Sequence, residues 1–434
     1  MLTDEVARHV RMMEEELARL RAAVGELSFL NALAQQIGAL HSSAEIIETI
    51  VRRALRAVGA EQGVITLVDR TGEDPMKTLV RQMGSGLSAN LFHFHQSLLG
   101  WMLLHKQPLL INDPASDTRF QGVEWDVSVR SLLSAPLMIK AEAIAVLTVY
   151  NKNAPEGFTA DDQRLLSIIA AQSAQVVENA RLYEEEKTLL RLRSEMDIAA
   201  DIQRDMWPRQ APHIPGYEIV GRSLPAEQVG GDYFDYLDLG TMRWGLAIGD
   251  VSGKGMPAAL YMAVCRGLLR ALAGGHPEPH DCITELNRIA CEDSTSSVFI
   301  TLFYSVLHAA SGRLTYCSGG HNLPVLIPAD GEVRLLDRSP GMLVGVMPGI
   351  TFDSFTMHLA PGDTLVMYTD GVTEATDADE EMYGEERFLA LLEECRGCGA
   401  ADIGNRIFDA VASFAGTRQQ SDDVTVVVLR RLTS

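Results

Sequence analysis

The stretch Gly249-Asp-Val-Ser-Gly-Lys-Gly-Met-Pro-Ala-Ala-Leu260 carries the most information about the fold. An apolar run ends at Asp250, and the chain then passes through two glycines into a helical pattern near Met256-Pro257. Glycine allows a tight backbone turn, and proline is favoured in the first turn of a helix. The stretch therefore predicts a carboxylate at a strand end, followed by a turn and a helix whose N-terminus could receive a phosphate group.

Three more acidic settings of this kind occur far away along the chain, at Gly230-Gly-Asp232, Asp370-Gly371 and Asp422-Asp423. Acids beside apolar runs and glycines or turns are typical of strand ends, so we expect them to converge on one cavity. Four negative charges in one cleft repel one another. Metal ions relieve this repulsion, and carboxylate and water ligands suit hard divalent cations such as Mg²⁺ or Mn²⁺. The pattern predicts a metal-dependent hydrolase that acts on phosphate.

Composition narrows the class of protein. At 434 residues the chain is expected to form two or three domains, and its 47% apolar and 22% charged residues are typical of a soluble globular protein. No stretch approaches the roughly 18 uninterrupted apolar residues of a membrane span, and no secretory signal is visible. The formal charge of −21 argues against nucleic acid as a partner. We expect a cytoplasmic protein.

The six cysteines are then expected to be reduced thiols. Cys395-Arg-Gly-Cys398 has CxxC spacing, but no second pair accompanies it. A redox or zinc role is therefore disfavoured.

A regular apolar repeat marks residues 1–28. Apolar residues recur with alternating spacings of four and three, at Val6, Val10, Met13, Leu17, Leu20, Val24 and Leu27. The period of 3.5 residues favours a coiled-coil dimer over a single helix packed on its own domain. We therefore expect a coiled-coil helix over residues 1–28 and a homodimeric protein.

Residues 29–180 show a mixed pattern of helices and strands. The last helix is predicted to begin at Thr159, a good N-cap, with Asp161 and Asp162 in its first turn. The segment resembles a GAF sensory domain through Ser131-Leu-Leu-Ser-Ala-Pro-Leu137, Ala143–Tyr150 and Phe158-Thr-Ala-Asp-Asp-Gln-Arg-Leu-Leu166. The resemblance implies an α/β sensor with an antiparallel sheet and a pocket for a small-molecule or protein signal. It does not name the ligand.

Asn151-Lys152, Phe158 and Asp162 partly match the motif of cyclic-nucleotide-binding GAF domains, whose final acid is replaced here by Gln163. The simpler alternative, which we favour, is a strand end joined to a helix cap. His93 and His95 alternate with phenylalanines and are expected on a solvated strand face rather than at a metal.

The last helix of the sensor is predicted to continue as a linker over residues 181–207 and to stop at Trp207-Pro208, because the residue before proline leaves the helical region. A second heptad seam consists of Leu182, Leu189, Leu192, Met196, Ala199, Gln203 and Met206, interrupted at Glu185. A helix can transmit rotation between two domains, which a flexible tether cannot do. We favour a signalling role over a passive spacer.

Residues 208–434 contain β-rich segments, two helical stretches and an ordered set of motifs. The motifs are Pro225–Asp235, Gly249–Leu260, Phe299–Tyr304, Ser318–Asn322, Pro361–Glu374 and Ser421–Val428. In this order they resemble the SpoIIE type of PPM (protein phosphatase 2C-like) serine/threonine phosphatases. The resemblance implies an α-β-β-α sandwich, and so an α+β multidomain chain overall.

The resemblance also implies the site. Two divalent ions, Mn²⁺ or Mg²⁺, would lie about 4 Å apart, activate a bridging water and hold the ester. Carried over by motif, the metal ligands are Asp232 on one ion, Asp250 bridging both, the Val251 carbonyl, and Asp370 with Asp422 on the other ion. The same four aspartates are the predicted catalytic residues, and no side-chain nucleophile is needed.

Five further residues lie near these motifs in sequence. Asp423 is expected to orient its neighbour. Lys254 either contacts phosphate or is an exposed loop lysine, and Asp235 either holds a metal-bound water or caps a turn. His321 is a general acid or, as we favour, a structural hydrogen-bonding residue. Arg222 stands at the wrong offset for the arginine that holds phosphate in eukaryotic members.

Together these predictions describe a dimeric phosphatase controlled by a GAF sensor. Its substrate class, carried over from the resembling bacterial family, is a phosphoserine or phosphothreonine protein such as an anti-sigma-factor antagonist. One alternative is a diguanylate cyclase, whose signature is similar to Gly230-Gly-Asp-Tyr-Phe234, but the helix and long strand that precede that signature are missing. The other is a non-enzymatic phosphoprotein-binding scaffold, which the presence of all four acids disfavours.

Overall fold

A computed structural model of the chain describes residues 13, 43–68, 76–83, 96–293, 298–336 and 341–433. Two compact units divide between Arg191 and Leu192. Apart from Met13, the heptads of residues 1–28 lie outside the described residues, as do His93 and His95. The coiled coil over residues 1–28 therefore stays a prediction.

The first unit is built on a five-stranded antiparallel sheet with the strand order β2-β1-β5-β4-β3. Its elements are α1 (Ser43–Val58), β1 (Ala60–Val68), β2 (Met76–Met83), α2 (Gln96–His105), β3 (Leu109–Ile111), β4 (Leu132–Ile139), β5 (Glu142–Lys152) and the start of α3 (Ala160–Met206).

Both faces of this sheet are covered because the apolar side chains of β5 alternate between them. Ala145, Leu147 and Val149 pack with α1 and the start of α3. Val146 and Tyr150 point the other way and pack with α2 and β3. The expected α/β sensor with an antiparallel sheet is confirmed.

Helix α3 begins and ends where its sequence predicts. The Thr159 hydroxyl oxygen accepts a hydrogen bond from the Asp162 amide at 3.2 Å, and the Asp162 carboxylate accepts one from the Thr159 amide at 2.9 Å. This reciprocal pair satisfies two backbone donors that a helix N-terminus otherwise leaves open. The helix ends at Met206, directly before Trp207-Pro208.

The residues that partly match a cyclic-nucleotide motif join a strand end to this helix cap. Lys152 Nζ lies 2.8 Å from Asp162 Oδ1 and donates a 2.7 Å hydrogen bond to the Val58 carbonyl. Asn151 Oδ1 accepts a hydrogen bond from the Arg130 amide at 2.8 Å. These contacts support the structural alternative over a nucleotide site.

The second unit contains two five-stranded antiparallel sheets, ordered β13-β10-β9-β8-β7 and β12-β11-β14-β15-β6. Its strands are β6 (Tyr217–Leu224), β7 (Tyr233–Asp238), β8 (Arg243–Val251), β9 (Ile300–His308), β10 (Arg313–Gly319), β11 (Val325–Ile327), β12 (Arg334–Leu335), β13 (Phe355–His358), β14 (Thr364–Tyr368) and β15 (Val424–Arg431). Its helices after α3 are α4 (Gly255–Ala273), α5 (Pro279–Asp293), α6 (Gly384–Glu394) and α7 (Ala400–Ala415).

Three apolar cores show that the four layers are α-β-β-α. Leu246 and Ile248 of β8 face the core between the sheets, where they meet Val427 and Leu429 of β15. Alternate residues of the same strands face outwards. On one side they pack with α4 and α5, and on the other with α6 and α7. The predicted sandwich is confirmed.

Helix α4 is the one helix in the described part of the chain that is long and apolar enough to cross a membrane. Two arginines interrupt it, and its Met262, Cys265 and Leu269 are buried in the core with α5 and the first sheet. A core helix passes the same test of length and composition. We interpret α4 as a core helix.

All six cysteines are free thiols. Cys395 is buried, burial raises the pKa of its thiol, and its amide donates hydrogen bonds to carbonyls in the last turn of α6. The Cys398 amide in turn donates to the Cys395 carbonyl at 3.0 Å. The CxxC spacing therefore belongs to a turn after a helix.

Candidate active site

In the second unit, two of the four predicted acids lie at one end of the sheet β13-β10-β9-β8-β7, which is called the first sheet of the sandwich below; the sheet β12-β11-β14-β15-β6 is the second. Asp232 directly precedes β7, and Asp250 is the last residue but one of β8. These strands are antiparallel, with Tyr233 opposite Gly249. The start of one strand therefore lies beside the end of the other, and the two carboxylates share a sheet edge.

The second sheet brings the other two acids together in the same way. Strand β14 ends two residues before Asp370, and β15 begins two residues after Asp422. Tyr368 pairs with Val426 in this antiparallel ladder. Each sheet therefore contributes two acids from adjacent strand ends.

Hydrogen bonds from two threonines join these ends across the sandwich. Thr369 Oγ1 donates to Asp232 Oδ2 at 2.8 Å, and Thr425 Oγ1 donates to the same oxygen at 2.5 Å. Thr369 follows β14 and Thr425 lies in β15, both in the second sheet of the sandwich, whereas Asp232 precedes β7 of the first sheet. The orientation of the Asp232 carboxylate is thus set by the packing of one sheet on the other.

Asp423 orients the segment that leads to Asp232. Its Oδ1 accepts a hydrogen bond from the Ala226 amide at 2.8 Å, and its Oδ2 accepts one from the Gly231 amide at 2.7 Å. A Cβ atom on Gly230 would lie 2.0 Å from that Oδ2, so only glycine fits there. The sequence led us to expect that Asp423 orients its neighbour Asp422; its amide does donate to Asp422 Oδ1 at 2.9 Å, but its carboxylate instead holds the backbone before Asp232.

Burial and mutual repulsion raise the pKa values of these acids. Burial is the main cause for Asp232, whose pKa is raised well above its usual range, with further contributions from Asp250 and Asp423. Burial, followed by the charges of Asp370 and Asp422, raises the pKa of Asp250 to about 8. Asp250 therefore links the set, because its charge acts on Asp232 and the charges of Asp370 and Asp422 act on it. A bound cation would act in the opposite direction and lower the pKa values of Asp232 and Asp250.

Asp370 completes this coupled set. Burial, then the charges of Glu374 and Asp422, raises the pKa of Asp370 to about 6. Because neighbouring acidic charges raise the pKa values of Asp232, Asp250 and Asp370, removing one such neighbour is expected to make these groups easier to ionise.

The donor set fits a hard divalent cation. A Cβ atom on Gly231 would lie 2.7 Å from the Val251 carbonyl oxygen and 3.3 Å from Asp250 Oδ1, so this glycine leaves both oxygens accessible. Among the described residues, no three His, Cys, Asp or Glu side chains enclose an ion by themselves. A divalent ion of this kind does not need three protein side chains, because a backbone carbonyl and water molecules would provide its remaining oxygen ligands.

The raised pKa values predict that the metal-free protein becomes less stable as pH rises. Asp250 holds its proton up to about pH 8 in the folded protein, whereas an unfolded aspartate releases it near pH 4. Between these values the folded state binds more protons, so its stability is full at low pH and is lost as pH rises through about 8. We expect the thermal midpoint, measured with a chelator from about pH 5 to 9, to fall.

The control for this prediction is Asp250→Asn, which removes the titrating group and should flatten the slope. A midpoint that rises with pH over the same range, or a slope unchanged in the variant, would contradict the assignment of the effect to Asp250.

Lys254 lies beside the acids rather than in open solvent. Its ammonium group donates to the Ser421 carbonyl and lies 3.3 Å from Asp422 Oδ2, with half of the side chain exposed. The flanking Gly253 and Gly255 have φ values of 95° and 69°, which explains why glycine is required in this turn. The predicted strand, turn and helix are therefore present, and Lys254 pairs with a predicted ligand.

Asp235 has a structural partner that its sequence did not reveal. The side chain is fully buried, and its oxygens accept hydrogen bonds from Arg270 Nε at 2.6 Å and Nη2 at 2.7 Å. Tyr233 also donates its hydroxyl to Asp235 at 2.9 Å. Neither the metal-bound water nor the turn cap expected for Asp235 describes these contacts. Asp235 is the buried half of an ion pair between β7 and α4.

His321 is a buried structural residue. It is 1% exposed, and its Nδ1 lies 2.9 Å from Thr301 Oγ1. Burial lowers the pKa of His321 to about 4, although a backbone hydrogen bond with Tyr368 acts in the opposite direction. A neutral imidazole near neutral pH is a poor general acid, which supports the structural alternative.

Arg222 is engaged away from the four acids. Its guanidinium lies 4.4 Å from the centre of the Phe408 ring, on the outer face of the second sheet. This supports the expectation, from its offset in sequence, that Arg222 does not replace the phosphate-binding arginine of eukaryotic members.

Thr369 and Thr425, the two donors to Asp232, were not predicted from the sequence. Both are fully buried. A usable signal was present, because Thr369 directly precedes Asp370, and Thr425 interrupts a run of valines in Asp-Asp-Val-Thr-Val. A hydroxyl buried in an apolar strand needs a partner, and the nearby acids were the available acceptors.

Comparisons with known proteins agree with this geometry. The model of the family "Stage II sporulation protein E (SpoIIE)" matches residues 240–432, and a GAF domain model matches residues 41–178. Phosphoserine phosphatase RsbU of Bacillus subtilis is 30% identical over 255 residues, which cover 57% of this chain and 75% of RsbU. Protein IcfG of Synechocystis sp. is 29% identical over 266 residues, which cover 55% of this chain and 42% of IcfG.

A solved structure gives the same answer for the fold. The SiaA-PP2C domain of Pseudomonas aeruginosa matches with a TM-score of 0.51 and 18% sequence identity. The match covers 56% of this chain and 98% of that domain. The likeness in structure therefore extends over a complete PP2C domain.

Proposed function

The chain belongs to the SpoIIE family of PP2C-like serine/threonine phosphatases, the family of RsbU, and we propose from this that its four converging aspartates hold two Mn²⁺ or Mg²⁺ ions for the hydrolysis of a phosphoprotein. Phosphatases of this family depend on metal ions. The observation that carries the proposal is that the four acids lie at the meeting edges of two sheets, where burial and neighbouring acidic charges raise the pKa values of Asp232, Asp250 and Asp370.

In the proposed site Asp232 and the Val251 carbonyl serve one ion, Asp250 serves both, and Asp370 and Asp422 serve the other. When bound, divalent ions supply an ionised water near neutral pH and neutralise the phosphoryl oxygens. Thr369 and Thr425 hold the Asp232 carboxylate in one orientation. The Lys254 ammonium lies 3.3 Å from Asp422 Oδ2, and in the proposed site it would contact the incoming phosphate.

The proposed substrate is a protein that carries phosphoserine or phosphothreonine, with an anti-sigma-factor antagonist as the class to test first. Support comes from RsbU, whose name describes a phosphoserine phosphatase. The test is Mn²⁺-dependent release of phosphate by the full chain from phosphoserine, phosphothreonine and phosphotyrosine peptides of one sequence. Release from the first two supports the proposal, whereas binding without release identifies the scaffold alternative.

The cyclase alternative does not fit the fold. Gly230-Gly-Asp232 leads into β7 of a sandwich, and Asp232 is held by threonines of the second sheet. These contacts support one site that Asp232 shares with Asp250, Asp370 and Asp422, and a cyclase would have no use for those three later aspartates.

For regulation, we propose that a signal at the GAF domain, of unidentified ligand, reaches the phosphatase through the helix over residues 181–207 in a cytoplasmic homodimer. The remaining proposed boundaries are 1–28 for the coiled coil, 29–180 for the sensor and 208–434 for the phosphatase. Support comes from exposed apolar residues on the described helix: Leu182, Leu189 and Leu192 are 49%, 67% and 53% exposed.

The dimer proposal predicts an effect of charge on this seam. Lysines at Leu189 and Leu192 together are expected to shift the full chain from dimer towards monomer, because both positions would face the partner helix. Light scattering after size exclusion measures the mass. Leu190→Lys is the matched control, since Leu190 is 60% exposed but lies off the seam. A wild-type chain that is monomeric would remove the proposal.

A further inference from the structure

We propose that Gln203, near the end of α3, is a positioning residue for the metal centre, because it holds the backbone that carries Asp232. The inference rests on the proposed function, since it concerns the ions that Asp232 would bind. Sequence periodicity placed Gln203 on a seam that faces a partner helix. The structure instead buries it within the chain, with 4% of its surface exposed.

Gln203 uses both ends of its amide on one residue. Its Nε2 donates to the Gly230 carbonyl at 2.6 Å, and its Oε1 accepts from the Gly230 amide at 3.0 Å. Two hydrogen bonds to one residue restrain its position and its orientation together. The contact is also buried, so breaking it would leave the Gly230 amide and carbonyl without a hydrogen-bond partner and away from water.

Asp423 holds the same segment through the next residues. It accepts from the Gly231 amide at 2.7 Å, one residue beyond the Gly230 contact, and lies 3.4 Å from the Asp232 amide. A side chain on Gly230 would collide with Asp423, so the backbone passes through a gap with no spare room. Gln203 and Asp423 therefore clamp consecutive peptide groups immediately before the Asp232 carboxylate.

The position of Gln203 on α3 makes this clamp specific. In residues 192–206, all of which are described, Gln203 is the one buried residue. Its neighbours Ile202 and Ile198 are 55% and 57% exposed. The last turns of α3 thus contact the rest of the catalytic unit through an amide aimed at the metal-site backbone rather than through a broad apolar face. A displacement of this part of the helix would move Gly230, and Asp232 lies two residues away.

The test compares Mn²⁺ binding by the full-length wild type with that of Gln203→Met, which keeps the side-chain size but removes both hydrogen bonds. Calorimetric titration is expected to show a dissociation constant about 10- to 100-fold higher in Gln203→Met, the usual effect of losing a residue that supports a metal ligand. Gln210→Met, at an exposed glutamine shortly after the helix, is the matched control and should stay within about twofold of wild type.

A purely structural role for Gln203 would lower the thermal midpoint and leave the Mn²⁺ dissociation constant of the folded protein unchanged, and that result would overturn the inference. If Gln203→Met does not fold, Gln203→Glu is measured instead, because it keeps the acceptor for the Gly230 amide. Its expected loss of affinity is in the same direction.

Asp232→Asn separates this inference from the function on which it rests. If Asp232→Asn abolishes Mn²⁺ binding but Gln203→Met does not change it, the phosphatase site stands and the role of Gln203 is wrong. If Asp232→Asn also binds Mn²⁺ as the wild type does, the proposed ligand set itself is wrong.

Discussion

Replacing Asp250 with asparagine is expected to reduce Mn²⁺-dependent phosphate release from a phosphoserine peptide by about 10³-fold or more. The reason is that the two metal ions would lose the one carboxylate proposed to bind both of them. An amide has the same shape but no charge with which to balance two cations. The rate is measured at saturating peptide over a range of Mn²⁺ concentrations. Asp370→Asn should behave in the same way.

A second readout excludes misfolding as the reason for the loss. Asp250 is crowded by Asp370 and Asp422, and its pKa is raised to about 8. Removing its charge at a pH above this value relieves repulsion, so the metal-free variant should be more stable than the metal-free wild type. Loss of activity with a raised thermal midpoint is the expected combination.

Asp238→Asn provides the matched control for Asp250→Asn. Asp238 ends β7, is exposed, and accepts a hydrogen bond from the Gly240 amide at 2.9 Å. Its variant should retain activity close to that of the wild type. An Asp250→Asn protein that keeps more than about a tenth of wild-type turnover would refute the bridging role.

Replacing Arg270 with methionine is expected to lower the free energy of unfolding by about 3 kcal/mol, because it leaves the Asp235 carboxylate buried without its main partner. Asp235 is 0% exposed, whereas Arg270 is 43% exposed. We expect the lower end of the range for broken buried pairs, because Arg266 Nε remains 3.9 Å away and Tyr233 still donates. Urea-induced unfolding of the full chain measures the change.

Two further variants test the explanation. Arg204→Met removes a surface pair with Asp201, in which both side chains are mostly exposed, and should cost at most about 0.5 kcal/mol. Adding Asp235→Leu to Arg270→Met removes the buried carboxylate that has lost its partner, and this should recover most of the lost stability. A loss in Arg270→Met no larger than that in Arg204→Met would show that the buried pair does not stabilise the unit.

The candidate site shows why the placement of some residues was predictable from the sequence. Asp232, Asp250, Asp370 and Asp422 each stand beside an apolar strand and a glycine or a second acid, and both features are local. Local features survive folding because they reflect the backbone's own preferences at strand ends and turns. The same applies to the Thr159 cap and to the stop at Trp207-Pro208, which the structure places as expected.

Partners distant in sequence could not be assigned in this way. The sequence offered Asp235 as a residue that holds a metal-bound water, but it forms an ion pair with Arg270, which lies 35 residues away on α4. Gln203 fitted a heptad seam, yet it meets Gly230 because α3 ends against the catalytic unit. In both cases the residues nearby in sequence did not show which distant group the side chain would meet.

The sequence by itself determined the strand ends, the turns and helix caps and the acids that stand at them, because neighbouring residues decide these features, and its motifs carried the resemblance to the GAF and SpoIIE families. Only the tertiary structure decided which backbone holds Asp232 and which charge Asp235 neutralises. These outcomes depend on how two sheets and their helices pack, and packing brings together groups whose separation along the chain carries no information about their distance in space.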